Sequence, residues 1–302
     1  SMSHFLELQE FFVEGKDHKK SHVLLHIAEP VSLKEKERGY FFVVAEVNNG
    51  YEEQIEYLQQ IIDDIENEYY AEEDDPQSLE DILQSVNRRA HHILSNKKTS
   101  IACVVGTVNE NVLTLAYHGK PQALLFYQSK NTLASTTIID QPSTGNQLFS
   151  ELIEGNINGG DYVVISSPQL MKFFSRDRMR KLLGSRRIEE SAAHIQKVLH
   201  DLKEEISFGG LIIHLSDSQN KPKAGKRPKS KERGSAESLE RLMHAERSTQ
   251  ETLSPPVFSH LLDGLKSKIS KKEAASSPKK SGSRKHKKYH VEPNRRQSDR
   301  PQ

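Results

Sequence analysis

The sequence predicts an α+β fold in which two antiparallel β-sheets stack face to face as a β-sandwich flanked by α-helices. The first observation is that runs rich in β-branched and aromatic residues occur in both halves of the chain. The second is that two segments with helical apolar spacing lie between those runs. The third is a change of composition after residue 216, where Lys, Arg, Ser, Pro and Gly dominate. We therefore expect a folded domain at residues 1–216 and a basic, mostly disordered C-terminal tail at residues 217–302.

Charge is divided unevenly along the 302 residues, although the formal net charge is only +1. The segment from Lys221 to Gln302 holds 22 Lys and Arg against 9 Asp and Glu, whereas residues 1–220 hold 21 against 33. Only 34% of the residues are hydrophobic, and the shortfall of apolar residues is concentrated in the tail. This pattern indicates an acidic folded domain joined to a basic tail.

The domain opens with three predicted strands, at residues 4–13, 22–28 and 39–47. Near its end, the third strand carries one carboxylate, Glu46, behind a long apolar run, and a polar turn at Asn49-Gly50 follows. This pattern is typical of a buried strand that delivers a carboxylate to the mouth of a site. It also fits a plain change of chain direction, and periodicity alone leaves both interpretations open.

Two helices are predicted next, at residues 51–68 and 78–95, because each segment places its apolar residues on one face. Strands return at residues 99–108, 112–119 and 122–128. The short polar turns between these strands favour antiparallel hairpins.

The second half of the domain is predicted to contain a short helix near residues 148–153 and a strand at residues 162–165. Short helices are expected in the basic segment 176–187, and an amphipathic helix begins near Ile188. The last predicted strand is at residues 211–213.

The cysteine content points to a reducing compartment. Cys103 is the one cysteine, so no internal disulfide framework can form. It lies in an apolar run, where a packed and inert thiol is expected. The sequence has no run of 18 apolar residues, which argues against a transmembrane segment, and no signal peptide is recognisable. We therefore expect a cytoplasmic protein.

Five short strings resemble the PPM family, the type-2C metal-dependent protein serine/threonine phosphatases. They are Phe41–Gly50, Thr99–Val105, Leu113–Ala123, Gly160–Leu170 and Ser207–Leu215. The strings occur in the family order, with helices in the right gaps, and the resemblance covers residues 4–215. It implies a two-sheet sandwich in which acidic residues at strand ends hold two Mn²⁺ or Mg²⁺ ions that activate a bridging water. Two dications about 3.5–4 Å apart require several carboxylates around them, because they repel each other strongly.

The sequence departs from this family where the metals would bind. The resemblance places the family's metal positions, in chain order, at Glu46, Val47, Lys120, Pro168 and Ser207. The family has aspartates at four of these positions and a glycine at the position of Val47. One negative charge is kept, two aspartates become neutral, and a third becomes a lysine. A lone glutamate cannot balance two dications, so we expect no metal cofactor and assign no catalytic residue.

These substitutions predict a degenerate, catalytically inactive relative of the family. Such a pseudophosphatase would act as a regulatory or protein-interaction module with a protein partner of unknown identity. The alternative is a divergent phosphatase with residual Mn²⁺- or Mg²⁺-dependent activity. In that alternative Glu46 works with carboxylates from elsewhere, such as Asp161 or the loop at residues 72–75.

The tail carries two further features. Short amphipathic helices are predicted at residues 236–247 and 256–270, and the second suits a partner's groove or a lipid interface. Its apolar face comprises Phe258, Leu261, Leu262, Leu265 and Ile269. A basic patch comprises Lys279, Lys280, Arg284, Lys285, Lys287 and Lys288. The second alternative function is electrostatic binding of nucleic acid or another anionic surface through this patch. The tail also fits a solubilising linker, or a segment that folds back on the acidic domain.

Overall fold

A computed structural model describes residues 4–217 of the chain except residues 18–19, 73–74, 91–92 and 95–97. The predictions made for the tail, including both amphipathic helices and the basic patch, lie outside the described residues.

Ten strands and five α-helices make up the described part of the chain. The strands are β1 (His4–Val13), β2 (Ser21–Ala28), β3 (Tyr40–Asn48), β4 (Ser100–Asn109), β5 (Val112–His118), β6 (Gln122–Ser129), β7 (Thr132–Thr137), β8 (Glu151–Asn156), β9 (Tyr162–Ser166) and β10 (Phe208–Asp217). The helices are α1 (Leu33–Arg38), α2 (Glu52–Tyr69), α3 (Leu79–Ala90), α4 (Arg176–Ser185) and α5 (Ile188–Leu202), and a 3₁₀ helix spans Pro168–Lys172.

The strands form two five-stranded sheets in which every pairing is antiparallel. The strand order is β1-β10-β9-β6-β7 in one sheet and β2-β3-β4-β5-β8 in the other. Helices α2 and α3 pack on the outer face of the second sheet, and α4 and α5 pack on the outer face of the first. The prediction of an α+β sandwich with helices outside is therefore confirmed.

The alternation of side chains along β3 shows how the layers are held together. Phe42 and Val44 lie in the apolar core between the two sheets, and neither is more than 1% exposed. Phe41, Val43 and Ala45 point the other way, into the core beneath α2 and α3. Since strand side chains alternate with a period of two, Glu46 shares the inward-facing row with Phe42 and Val44.

One local prediction is wrong, and a strand and a helix of the structure were not predicted. The helix predicted near residues 148–153 is wrong, because Glu151–Asn156 forms strand β8 and pairs with β5. Strand β7 and helix α1 were not predicted at all. Both β7 and β8 are edge strands. β7 is largely polar and β8 is largely exposed, so neither carries the apolar alternation by which strands are recognised.

No helix within the described ranges is both long and apolar enough to cross a bilayer.

Candidate functional site

One end of the sandwich gathers all five positions that the resemblance assigns to metal binding. Ser21, the first residue of β2, pairs with Asn48 at the end of β3. The backbone N–H of Ser207, just before β10, donates to the Ser21 hydroxyl at 3.1 Å, so the two sheets meet at this level. We call this region the Glu46 end of the sandwich. It contains Glu46, Val47, Lys120, Pro168 and Ser207.

Glu46 lies between Val23 of β2 and Ala102 of β4, and its side chain is 2% exposed. Its Oε1 atom accepts a hydrogen bond of 2.6 Å from the side-chain amide of Asn48. Its Oε2 atom is buried and has no hydrogen-bond partner among the described residues. Burial raises the pKa of the Glu46 carboxyl, and the bond from Asn48 opposes only part of that shift. Burial therefore makes the carboxylate form of Glu46 costlier than that of an exposed glutamate, whereas a metal ligand needs the carboxylate.

The Ser207 side chain forms hydrogen bonds with backbone groups of neighbouring segments. It is only 2% exposed, and its hydroxyl donates to the Ser21 carbonyl at 3.2 Å. The same hydroxyl accepts a hydrogen bond of 3.0 Å from the Gly15 N–H. The loop between β1 and β2 is thus fastened to the start of β10 at the position where the family resemblance places an aspartate.

Pro168 and its neighbour Ser167 lie at the end of β9 and contribute no negative charge. The Ser167 N–H donates to the Gly209 carbonyl at 2.8 Å, and the Ser167 hydroxyl accepts from the Gly209 N–H at 3.2 Å. Gly209 faces the second sheet closely, since a Cβ atom there would lie 2.5 Å from a methyl group of Val23. Val23 is the β2 partner of Glu46, so the sheets are in contact beside the carboxyl group.

The remaining two positions offer no acidic ligand. The Val47 side chain points away from the inter-sheet core and packs beneath α2 and α3, with 1% of its surface exposed. Lys120 is exposed on the connection from β5 to β6, after Gly119. Gly119 has a φ of +68° and packs against the backbone of Ile101 and Ala102. A lysine at this end adds positive charge, which opposes the binding of a cation.

Asp161 lies at the opposite end of the sandwich, which we call the Asp161 end. It precedes β9, whose five residues extend about 17 Å, and its Oδ2 accepts from the Asn158 N–H at 2.8 Å. Tyr70, which follows α2, is at the same end, because its hydroxyl donates to the Gly39 carbonyl at 2.6 Å, just before β3. The strand register therefore separates Asp161 from Glu46 by about the length of a strand, and the divergent-phosphatase alternative stays a prediction that activity measurements must test.

The residues at the Glu46 end do not fit a two-metal centre. Its inherited positions present one buried carboxyl group, a valine, a lysine, a proline and a hydrogen-bonded serine, whereas hard dications prefer several anionic oxygens. Across the described ranges, no group of three or more His, Cys, Asp and Glu side chains could hold a metal ion. The described ranges therefore hold no other cluster of ligands that could replace the missing carboxylates.

Sequence reasoning missed the side chains that complete this end. Asn48 carried a detectable signal, because a residue two positions after Glu46 on a strand lies on the same face. Ser21 and Ser167 carried none, since their partners Ser207 and Gly209 are distant in sequence. Such contacts depend on strand register across the two sheets.

Comparisons with known proteins identify the fold. No family model matches the sequence, and no curated protein matches it significantly. Among solved structures, a bacterial serine phosphatase carrying a point substitution gives a TM-score of 0.53 at 15% identity, over 70% of this chain and 99% of that chain. The S. agalactiae serine/threonine phosphatase gives 0.52 at 12% identity, over 70% and 100% of the two chains. The serine/threonine phosphatase Stp1 from Staphylococcus aureus gives 0.50 at 14% identity, over 70% and 96%. The PPM-like fold implied by the resemblance is therefore confirmed.

Proposed function

We propose that this chain, which has the fold of the PPM-type serine/threonine phosphatases, is a pseudophosphatase that acts as a regulatory or protein-interaction module. The observation that carries the proposal is which residues occupy the five positions that the resemblance assigns to metal binding, all at the Glu46 end. Only Glu46 keeps a carboxyl group, and that group is buried, bonded to Asn48 and costlier to ionise than an exposed glutamate.

The chemistry of the fold's phosphatases depends on the charge that this end lacks. Two bound dications would lower the pKa of a bridging water and stabilise the charge that develops on phosphorus. Because a carboxyl group must lose its proton to bind a metal, a buried Glu46 would resist binding even one ion. The side chains present at this end instead hold the two sheets and the β1–β2 loop together through neutral hydrogen bonds.

The distribution of charge over the two helical layers supports a role in protein binding. From residue 52 to residue 81 the sequence has 13 Asp and Glu and no Lys or Arg. From residue 172 to residue 187 it has seven Lys and Arg and one Asp. The first range contains α2, on the outside of one sheet, and the second contains α4, on the outside of the other. Faces of opposite charge favour oriented association with charged partners.

Calorimetric titration of the full chain with MnCl₂ and with MgCl₂ tests the proposal, using the variant Glu46→Gln as the control. We expect no saturable heat from either metal and no difference between the two proteins. Hydrolysis of a phosphoserine peptide should also stay at the buffer rate with either metal present.

Two results would overturn the proposal. One is saturable binding of two metal ions that is lost in Glu46→Gln. The other is Mn²⁺- or Mg²⁺-dependent hydrolysis that is lost in the same variant, which would instead establish the divergent phosphatase.

A further inference from the structure

A positively charged cluster lies where α4 packs beside α5, on the outer face of the sheet that contains β10. It comprises Arg178 of α4, Arg186 at the end of α4, and His194 and Lys197 of α5. The three cations are exposed, and His194 is half-buried. The proposed function uses the overall charge of this helical layer but names no site in it. We call these four residues the Arg178 cluster.

The ring of Phe174 holds two of these side chains in place. Phe174 is fully buried in the core beneath α4 and α5. The Arg178 guanidinium lies over its face, with Cζ 4.5 Å from the ring centre, and the His194 ring lies nearly perpendicular to it at 6.5 Å between centres. The Arg178 Nη1 also donates to the Phe173 carbonyl at 3.3 Å. A guanidinium fixed by an aromatic face and a carbonyl loses little conformational freedom when its remaining N–H groups bind a ligand.

Packing between the two helices brings the α5 side chains of the cluster to Arg178. The Ser191 hydroxyl of α5 donates to the Leu182 carbonyl of α4 at 3.3 Å. Arg178 lies one turn before Leu182, and His194 lies three residues after Ser191. Lys197 follows His194 by three more residues, so these two side chains share one face of α5. The cations of both helices therefore converge.

Neighbouring cations of this layer already have acidic partners. Arg180 pairs with Asp177, and Arg187 pairs with Glu189. Among the described residues, no carboxylate forms an ion pair with a cation of the Arg178 cluster. The cluster therefore presents positive charge that no described side chain neutralises.

His194 shows that this charge acts at one point. Burial lowers the pKa of His194, and the charges of Arg186, Arg178 and Lys197 lower it further. No carboxylate of the described chain opposes that shift. An anion bound at this point would be attracted by three cations at once, and it would raise the pKa of His194.

A phosphate monoester is the ligand that matches the Arg178 cluster. It carries a charge between about −1.5 and −2 at pH 7 and has three strong acceptor oxygens, whereas a carboxylate carries a single charge. Arginine forks bind such oxygens in pairs, and arginine clusters are a common means of recognising phosphorylated motifs. Residues 1–220 hold 33 Asp and Glu against 21 Lys and Arg, so the surrounding domain repels a polyanion such as nucleic acid. A single phosphate group on an otherwise uncharged peptide avoids most of that repulsion.

We propose that the Arg178 cluster binds a phosphorylated side chain of a protein partner. Arg178 and Arg186 hold the phosphate oxygens, Lys197 balances the second negative charge, and His194 lies beside the bound group. This inference rests on the protein-interaction role in the proposed function and names a class of partner for it. It does not depend on metal binding at the Glu46 end, which the calorimetric titration tests separately.

NMR of the histidine rings in the full chain tests the binding. The ring signal of His194 is identified by its absence from the variant His194→Gln. Titration with a short, otherwise neutral phosphoserine peptide should shift this signal until it saturates, and should raise the pKa of His194 because a bound anion favours the imidazolium. The unphosphorylated peptide should leave the signal unchanged, and inorganic phosphate should shift it only at higher concentration.

Matched variants locate the site. Arg178→Gln and Lys197→Gln should each weaken peptide binding by about tenfold, as expected for the loss of one charge-assisted hydrogen bond. Lys197 is exposed on α5, so its variant keeps the test valid if Arg178→Gln disturbs packing on Phe174. Arg180→Gln is the control, because it removes the same charge from α4 at a residue already paired with Asp177. Its affinity should change by less than about twofold.

Several results would overturn the proposal. The first is a His194 signal that does not shift to saturation, and the second is an equal shift from the unphosphorylated peptide. Equal weakening by Arg180→Gln would show that only the overall charge of the layer matters. Inorganic phosphate that bound as tightly as the peptide would make free phosphate the ligand. Single-stranded DNA that shifted the same signal at lower concentration than the peptide would assign the cluster to nucleic acid.

Discussion

The Ser207 hydroxyl donates to the Ser21 carbonyl at 3.2 Å, while the Ser207 N–H donates to the Ser21 hydroxyl at 3.1 Å. This reciprocal pair joins the first residue of β2 to the residue that precedes β10, and so connects the two sheets at the Glu46 end. The resemblance to the PPM phosphatases places a metal-binding aspartate at Ser207. In this chain the Ser207 side chain instead forms hydrogen bonds that hold the backbone together. Removal of its hydroxyl should therefore lower the free energy of unfolding.

Replacement of Ser207 by alanine should lower the free energy of unfolding by about 1–3 kcal/mol, because the partly buried Gly15 N–H loses its acceptor. Ser207→Asp, which restores the family residue, should destabilise the domain further, since it buries a charge without a cationic partner. Urea unfolding measures both changes.

Ser100→Ala is the matched control for these variants, because Ser100 is exposed at the start of β4. If Ser207→Asp were as stable as the parent protein and bound Mn²⁺, the prediction would be wrong, because position 207 could then still hold a metal ligand.

Glu46→Gln should change the dependence of stability on pH. Burial raises the pKa of Glu46 in the folded state. The unfolded chain therefore releases this proton at a lower pH, and the parent protein loses stability as pH rises from the unfolded pKa through the folded pKa. Glutamine does not titrate, so the stability of Glu46→Gln relative to the parent should increase across that interval and level off above it.

Urea unfolding at a series of pH values from acidic to neutral gives this difference directly. Glu52→Gln on the exposed start of α2 should show no such trend. A stability difference for Glu46→Gln that is flat with pH would show that the buried carboxyl is not destabilised as an anion.

His26 and Glu66 form a second buried polar contact, between His26 Nε2 in β2 and the carboxyl of Glu66 in α2. Both residues are buried, so His26→Ala leaves a carboxyl group without this partner in the core beneath the helices. We expect a loss of about 1–3 kcal/mol in the free energy of unfolding, the usual cost of removing the partner of a buried hydrogen-bonding group. Lys20→Ala breaks an exposed ion pair with Glu205 and should cost much less stability, because solvent screens exposed ion pairs. Equal costs for the two variants would show that the buried contact does not stabilise α2 on its sheet.

The basic patch of the tail should bind nucleic acid electrostatically if the second alternative function holds. Replacing Lys279, Lys280, Arg284, Lys285, Lys287 and Lys288 by Gln should weaken binding to single-stranded DNA. It should also flatten the dependence of the affinity on salt, by about 0.7 in the log–log slope for each phosphate that is no longer neutralised. Fluorescence anisotropy at several salt concentrations measures both effects.

The matched control replaces the same number of cations nearer the domain, namely Lys221, Lys223, Lys226, Arg227, Lys229 and Lys231. A smaller effect from the control would support the patch as a site. Equal effects from both sets would mean that only the overall charge of the tail matters.

The sequence predicted those elements whose signal is local. The apolar run before Glu46 predicted β3, and the one-sided spacing of Ile55, Leu58, Ile62 and Ile65 predicted α2, because burial of one face imposes a period on the chain. Edge strands such as β7 and β8 escaped prediction, since their side chains are largely polar and leave no apolar period in the sequence. Residue identities alone likewise showed that carboxylates are missing from the positions that the resemblance assigns to metal binding.

Only the tertiary structure decided which of these residues meet. Glu46 lies near the C-terminal end of β3, whereas Asp161 immediately precedes β9, and the strand register places these two positions at opposite ends of the sandwich. Long-range pairing brought Ser21 to Ser207 between the two sheets and set His4 of β1 opposite Asp217 of β10 within one sheet. The sequence therefore determined which charged and neutral residues the chain has, whereas long-range strand pairing determined where those residues lie in the fold. Pairing between residues nearly 200 positions apart leaves no periodic trace in the sequence.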